Sequence, residues 1–450
     1  MREKAKSLAL LGGEKAVKRD PGNIFTWPVV TPEIEKAVLE VLRAGKISGL
    51  DITIQFEKEF ASWLGVKYAL AHNTGTAAIH GALFGLGIGK GDEIICPSMT
   101  YWASCIPVFS LGGTVVFADI DAETLCIDPE DIERRISERT RAIVVVHYSG
   151  MPADMDAIMD IARRYGLLVL EDVSHAHGAL YKGRMVGTFG DAAAFSFMSG
   201  KSFPIGEGGM LTTGDRLVYE RAIAFGHYAR HAEFLTLPDL KRAGGVPWGG
   251  YKYRLNQLCS AIGREELKLY PAQMAEIDRS MNAFWDLLEG VAGLRAHRPA
   301  KGSGSSKGGW YNPLGLYRAE ELGGLSVSRF CEAVRAEGVP YCRPGCNKAL
   351  HSHPLFRDLD VYRQGRPTIN ANCPQGVDVR QPDSSLSVSA GIQKQVFKVP
   401  WFKHYLPELI EEYALAFRKV AEQAEALLPG DAGDPQEIGG WGTSTIVKGE

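Results

Sequence analysis

The sequence predicts an α/β protein, with a large domain built on a mostly parallel central sheet covered by helices and a smaller C-terminal α+β domain. Two observations predict the first part. Between residues 68 and 173 short, nearly continuous apolar runs alternate with segments of helical periodicity, which is the pattern of parallel strands buried on both faces. The chain is long, 450 residues, and 45% hydrophobic, enough for a large core and for two or three domains at about 100–200 residues each. A third observation predicts the second part: after about residue 265 the alternation gives way to mixed short strands and helices.

Residues 1–30 read as an N-terminal arm ending in "NIFTWPVV". "TPEIEKAVLEVLRAG" (31–45) is a helix, with Thr31 to cap it, Pro32 in its first turn and Gly45 to end it. "FEKEFASWLG" (56–65) is a second amphipathic helix. The alternation then begins: strand "YALAHN", helix "GTAAIHGALFGLG", strand "DEIICPS", helix "TYWASCIPVFSLGG", strand "TVVFADI", helix "PEDIERRI", strand "RAIVVVHY", helix "MDAIMDIARRYG", strand "LLVLEDV". "AAAFSF", "GMLTT" and a segment near 220 are expected to extend the sheet. The large domain spans 31–265 and the smaller one 266–429. A long, broken helical stretch, "REELKLYPAQMAEIDRSMNAFWDLLEGV", leads out of the first. "KGSGSSKGG" (301–309) has the composition of a flexible linker, and residues 430–450 read as a mobile tail.

Several function classes are disfavoured. A net charge of -3 offers no basic excess for nucleic acid. No apolar run approaches the ~20 residues of a membrane span, and the first twenty residues lack the apolar stretch of a signal peptide. The eight cysteines are scattered without a CxxC, which fits a reducing, cytoplasmic setting. Cys342 and Cys346 lack a second pair of ligands, and His227, His351 and His353 do not have the spacing of a metal set, so no metal is expected.

Three stretches carry candidate chemistry. "HNTGTAAIHGAL" (72–83) joins a strand to a helix whose N-terminus would offer N–H groups to a phosphate at Gly75 and Thr76; the same pattern also serves as a simple helix cap. "VLEDVSHAHGA" (169–179) ends an apolar strand in Glu171 and Asp172, followed by His175; an acid at a strand end presents itself to a ligand or caps the next turn. The two acids point to opposite faces of the sheet, which excludes a glycosidase pair. "GALYKGRMVGTFGDAAAFSFMSGKSFPIGEGGML" (178–211) holds Ser196 at the end of a strand and Lys201 in the turn after it. A lysine held in an enclosed site loses its proton more readily and can attack a carbonyl; otherwise it snorkels to solvent. Together, a phosphate cradle, a strand-end acid and a turn lysine are the parts of a pyridoxal phosphate site.

In order along the chain, "GTAAIHGAL", "GDEIICPSMTYWAS", "VHYSGMPADMDAI", "EDVSHAHGA" and "SFMSGKSFPIGEGGM" resemble the DegT/StrS-type sugar aminotransferases, fold type I pyridoxal-phosphate enzymes, over about residues 25–425. The resemblance implies Lys201 as the Schiff-base lysine, Asp172 as partner of the pyridine nitrogen, Gly75, Thr76 and Ser196 at the phosphate, Tyr101 stacked on the cofactor, and His175 near its phenolic oxygen. Where the family often has "GxNYR", this chain has "GGYKYRLNQL" (249–258), with Lys252 at the Asn position. Lys252 either serves the partner subunit's phosphate as a point charge or is a solvated residue; in the first case the protein is a homodimer with a shared active site.

The reaction implied is a ping-pong transamination from L-glutamate or L-glutamine to a keto-sugar or keto-cyclitol. The Gly200–Lys201 pair looks closest to the branch acting on inososes and to the aminohydroxybenzoate synthases. Segments 301–320 and 342–356 are expected to border the acceptor. Two alternatives stay open. One is a pyridoxal-phosphate sugar dehydratase or an aminohydroxybenzoate-synthase-like enzyme; family dehydratases carry histidine where Lys201 stands. The other is a non-catalytic regulator that keeps the fold.

Overall fold

The computed structural model describes residues 7–441. Two helices lead into the large sheet: α1 (Pro32–Ala44) and α2 (Asp51–Leu64). Thr31 caps α1 by accepting the Ile34 N–H, and α2 starts five residues before the expected position. The strands and helices that follow are β1 (Tyr68–His72), α3 (Gly75–Gly85), β2 (Glu93–Pro97), β3 (Thr114–Ala118), α4 (Pro129–Arg135), β4 (Thr140–Val146), α5 (Met155–Tyr165) and β5 (Leu168–Asp172). A two-residue-per-strand hairpin, β6 (Leu180–Tyr181) and β7 (Arg184–Met185), precedes β8 (Ala192–Ser196), β9 (Gly209–Thr213) and α6 (Arg216–Gly226).

The seven-stranded sheet has the order β1-β9-β8-β5-β4-β2-β3. β8, β5, β4, β2 and β3 pair in parallel, and β9 runs antiparallel to both of its neighbours. Strand residues alternate between two apolar layers: Ile143 and Val145 of β4 enter one core cluster, and Ala142 and Val144 the other. Helices therefore cover both faces, and the carboxyl ends of the parallel strands share one edge, where open α/β sheets bind ligands.

Two elements differ in kind from the expectation. Residues 100–113 form two 3₁₀ turns, Trp102–Ser104 and Ile106–Leu111, instead of one α-helix. Pro107 lacks the N–H that a continuous helix needs there. The segment near 220 is α6, not a strand. Asp215 caps it through the Leu217 N–H at 2.7 Å, and Val218, Ala222, Ile223 and Phe225 bury one face at helical spacing.

The expected broken helix is a single helix, Gln257–Leu287, that continues through Pro271. It packs on α1, α2 and the C-terminal helix Pro407–Glu422, so residue 265 falls within a rigid element. Beyond it lies a four-stranded antiparallel sheet, order β10-β11-β13-β12, built from β10 (Leu294–Ala296), β11 (Leu314–Tyr317), β12 (Arg343–Pro344) and β13 (Val396–Lys398). Leu8, Val17 and Ile24 of the N-terminal arm are buried in the apolar cluster of this region. The Gly/Ser stretch is pinned: Leu180 and Ser306 exchange backbone hydrogen bonds of 3.2 and 2.9 Å, and Gly183 donates to Gly304 at 2.7 Å. Residues 431–441 of the expected tail make defined contacts, and 442–450 lie outside the described residues. No helix among the described residues is long and apolar enough to cross a membrane.

Candidate active site

A cavity of about 200 Å³ opens at the carboxyl edge of the large sheet, lined by residues of α3, β5, β8, the 3₁₀ segment and the smaller sheet's loops. Seven of the eight residues expected at the site line it: Gly75, Thr76, Tyr101, Asp172, His175, Ser196 and Lys201. Lys252 does not; it is exposed, beside a shallow pocket with Leu50, Tyr228 and Arg254.

The cradle follows from two close approaches. A Cβ on Gly75 would lie 2.6 Å from Ser196 Cβ, and one on Gly209 would lie 2.3 Å from the Thr74 carbonyl oxygen. Only glycine at both positions lets the first turn of α3 sit against the end of β8. Thr74 caps α3, its Oγ1 accepting the Ala77 N–H at 3.0 Å, which leaves the first-turn N–H groups of Gly75 and Thr76 for a ligand.

β5 ends in two acids that do different work. Glu171 is fully buried and accepts the N–H groups of Gly187, Phe189 and Gly190, each at 2.7 Å. His147 also reaches it through Nε2 at 3.1 Å. It therefore holds the loop before β8. Asp172 faces the cavity. Ser104 Oγ donates to its Oδ2 at 2.7 Å and the Ser174 N–H to its Oδ1 at 3.1 Å. These bonds keep a carboxylate in place at a site only 5% exposed.

Lys201 is 8% exposed. Burial pushes its amine down to about 8, opposed by the nearby Asp172 carboxylate. Its Nζ sits 4.1 Å from the Tyr311 ring centre, and its carbonyl accepts the Trp27 indole N–H at 2.8 Å. The turn that carries Lys201 is thus fixed from outside by the arm, and the amine is left free inside. His175 Nδ1 accepts the Ser149 N–H at 3.3 Å. Burial first, then Lys201 and His177, hold its imidazole well below the usual range, so it is neutral. Tyr101 is in extended backbone at the start of the 3₁₀ turn; its ring reaches the cavity, whereas Trp102 packs into the apolar cluster behind α3.

The family model described as the DegT/DnrJ/EryC1/StrS aminotransferase family matches residues 28–379. This chain belongs to that family. It is 34% identical over 429 residues to the L-glutamine:scyllo-inosose aminotransferase of Streptomyces griseus, covering 92% of this chain and 98% of that protein. To the GDP-perosamine synthase of Caulobacter vibrioides it is 41% identical over 326 residues, 72% of this chain and 85% of that one. The crystal structure of an aminotransferase from Psychrobacter cryohalolentis superposes with a TM-score of 0.75 at 29% identity, covering 89% of this chain and 99% of that one. The protein is an aminotransferase of fold type I.

The fold adds site residues to which the sequence reading gave no role. Ser104, which holds Asp172, lies in the segment expected to be a helix. Glu207 and Met198 stand at the cavity beside Lys201. The two segments expected to border the acceptor both reach it, through Tyr311 and Asn312 and through Asn347. Trp310 and Asn312 carry φ of 54° and 49°, and Ser149, whose Oγ donates to the Asn312 carbonyl at 2.7 Å, carries φ of 53°. Such backbone concentrates at ligand sites; the Asn–Pro pair at 312–313 was its one trace in the sequence.

Proposed function

We propose that the chain transfers an amino group from L-glutamine or L-glutamate to a keto-cyclitol or keto-sugar, with pyridoxal phosphate as cofactor. The observation that carries this reading is the convergence of the Lys201 amine, the Asp172 carboxylate and the α3 N-terminus on one small cavity. The residues fit the cofactor: an anion cradle that only glycine permits, a buried carboxylate for a ring nitrogen, an amine with reduced proton affinity for an aldehyde, and a tyrosine ring. When bound, pyridoxal phosphate supplies the aldehyde that Lys201 captures and a ring that takes up the electron pair of the carbon beside the transferred amine.

The chain's own groups do the rest. Gly75, Thr76 and Ser196 would hold the phosphate. Asp172, held in place by the Ser104 and Ser174 bonds, would pair with the ring nitrogen. Tyr101 would lie against the cofactor ring, and the neutral His175 would serve its phenolic oxygen. Lys201, as a free amine beside the bound donor, would take the proton from the donor's α-carbon as base and return it as acid. An amine near 8 suits that exchange at neutral pH. The inosose aminotransferase matches nearly end to end, which favours a keto-cyclitol over a nucleotide-linked sugar as acceptor.

Lys252 belongs to an exposed strip with Val246, Trp248 and Tyr228, which are 70%, 40% and 40% exposed. In this reading a second copy covers the strip, and Lys252 serves the partner's phosphate in a homodimer. The Lys252→Ala variant should lose cofactor more readily while staying dimeric; unchanged cofactor affinity removes Lys252 from the site. The eight free thiols, seven of them buried, suit the cytoplasm.

The test is an absorption spectrum of the protein with pyridoxal phosphate, titrated with L-glutamine and L-glutamate. A visible band that either donor bleaches, that scyllo-inosose restores, and that Lys201→Ala lacks is the expected result. A band indifferent to every donor overturns the aminotransferase reading in favour of a regulator or another pyridoxal chemistry.

A further inference from the structure

Residues 431–441 run back across the smaller domain and end against the strip 345–350. Asp431 accepts the N–H and hydroxyl of Ser326, at 2.7 and 2.6 Å, and Asp434 the Ser328 N–H at 2.9 Å. Next, Glu437 pairs with Lys348 at 2.7 Å and Ile438 is buried. Gly439, at φ +82°, lies so close that a Cβ there would meet the Cys346 carbonyl oxygen at 2.1 Å. Gly440 bridges to Asn347 in parallel, its carbonyl accepting the Lys348 N–H at 3.0 Å. Trp441 donates its indole N–H to the Ala349 carbonyl at 3.3 Å, and its ring stands edge-on to His353 at 4.6 Å. The segment thus lies along one side of the strip, joined to it by an isolated β-bridge and by side-chain contacts at both ends.

The other side of the strip is the cavity wall. Asn347 lines the cavity. Its Oδ1 accepts the Tyr148 hydroxyl at 2.6 Å, and its N–H donates back to the same oxygen at 3.2 Å. Gln393 Nε2 holds its carbonyl at 3.1 Å. With Oδ1 taken, the Nδ2 amide is the polar end left for a ligand. Asn347 and Asn312, both from beyond the long helix, line the same cavity as Gly75, Thr76 and Ser196.

We propose that residues 431–441 form a strap that positions Asn347 to donate a hydrogen bond to a ring hydroxyl of the acceptor. The strap therefore sets acceptor affinity and leaves the amino donor untouched. This rests on the aminotransferase reading for the identity of the ligand, but the strap's hold on Asn347 does not. Trp441→Ala and Gly439→Ala, made in the full chain, test it. Amide hydrogen exchange over 345–350 should quicken about tenfold, with β4 and β5 still protected. The acceptor KM for scyllo-inosose should rise about tenfold, the scale of one lost hydrogen bond. kcat and the L-glutamine half-reaction should stay within about twofold, and Trp441→Phe should restore KM. Unchanged exchange over 345–350 overturns the proposal, as does an equal loss in both half-reactions. If the wild-type protein reacts with no donor, the aminotransferase reading falls alone; quickened exchange still supports the strap and unchanged exchange still overturns it.

Discussion

Lys201 and Lys307 both sit among glycine and serine, in "SGKSF" and "SSKGG". Both are buried, at 8% and 0% exposure. Burial lowers both amines, to about 8 and about 7, with Asp172 opposing the shift at the first and Cys126 at the second. Their surroundings differ. Lys307 Nζ donates to the His297 carbonyl at 2.9 Å and to His297 Nδ1 at 3.1 Å, under the Trp310 ring. His297 Nε2 is in turn engaged by the Thr124 carbonyl at 2.8 Å, so Nδ1 is the accepting nitrogen. Lys307 is a bolt that fixes the loop carrying Tyr311 and Asn312. Lys201 instead faces open space, a carboxylate and an aromatic ring. Desolvation makes a lysine easier to deprotonate; room for an incoming carbonyl and an anion to hold its partner make it a nucleophile.

The largest expected effect breaks the pair apart. Lys201→Ala should lower kcat by at least about 10³-fold, since it removes nucleophile and proton carrier together. Lys307→Met should leave the L-glutamine half-reaction within a few-fold. Steady-state turnover measures the first and stopped-flow bleaching of the cofactor band the second, and comparable losses of turnover in the two variants would erase the distinction between the two lysines.

Asp172→Asn comes next, with kcat expected to fall about 10²-fold. It also sharpens the contrast through pH. Protonated Lys201 cannot attack, so capture of pyridoxal phosphate by the apoprotein should rise with pH through about 8. The Asp172 carboxylate stabilises the ammonium form; its removal should move that limb to lower pH. A limb that stays put would mean that Asp172 does not act on Lys201. Gly75→Ala should be milder, about a tenfold loss of cofactor affinity read by equilibrium dialysis, because the new Cβ must push α3 off Ser196.

Much of this was legible before any coordinates. The strand and helix alternation through residue 173 held because each buried parallel strand needs a continuous apolar run, and each α3- or α5-type helix carries its own cap. The same logic put Asp172 and Glu171 on opposite faces. What escaped depended on tertiary partners. Pro271 sits inside a helix that packs as a whole on α1, α2 and the helix Pro407–Glu422, and glycine and serine at 302–306 read as slack because their hydrogen-bond partners, Leu180 and Gly183, lie more than a hundred residues away. Ser104 gives no signal of its own; it matters only because the chain brings it to Asp172. Asn347 is legible only with the segment 438–441 that lies beside it.

The smallest effect concerns Lys307 as a structural group. An ordinary lysine titrates near 10.4, whereas this one titrates near 7 in the fold. Between those values the unfolded chain binds a proton that the folded chain does not. Stability from this group therefore rises with pH across that window, by up to about 1.4 kcal/mol per unit, and is flat below it. Lys307→Met removes the slope. It also leaves two His297 acceptors unpaired, at a cost of about 1–3 kcal/mol. The variant's deficit should thus be largest near pH 9 and shrink toward pH 7, where the wild type gives up part of its stability to keep the amine neutral. Urea midpoints at pH 7, 8 and 9 show it. Parallel midpoints would mean that Lys307 keeps its charge in the fold, and that the two amines differ in protonation as well as in what surrounds them.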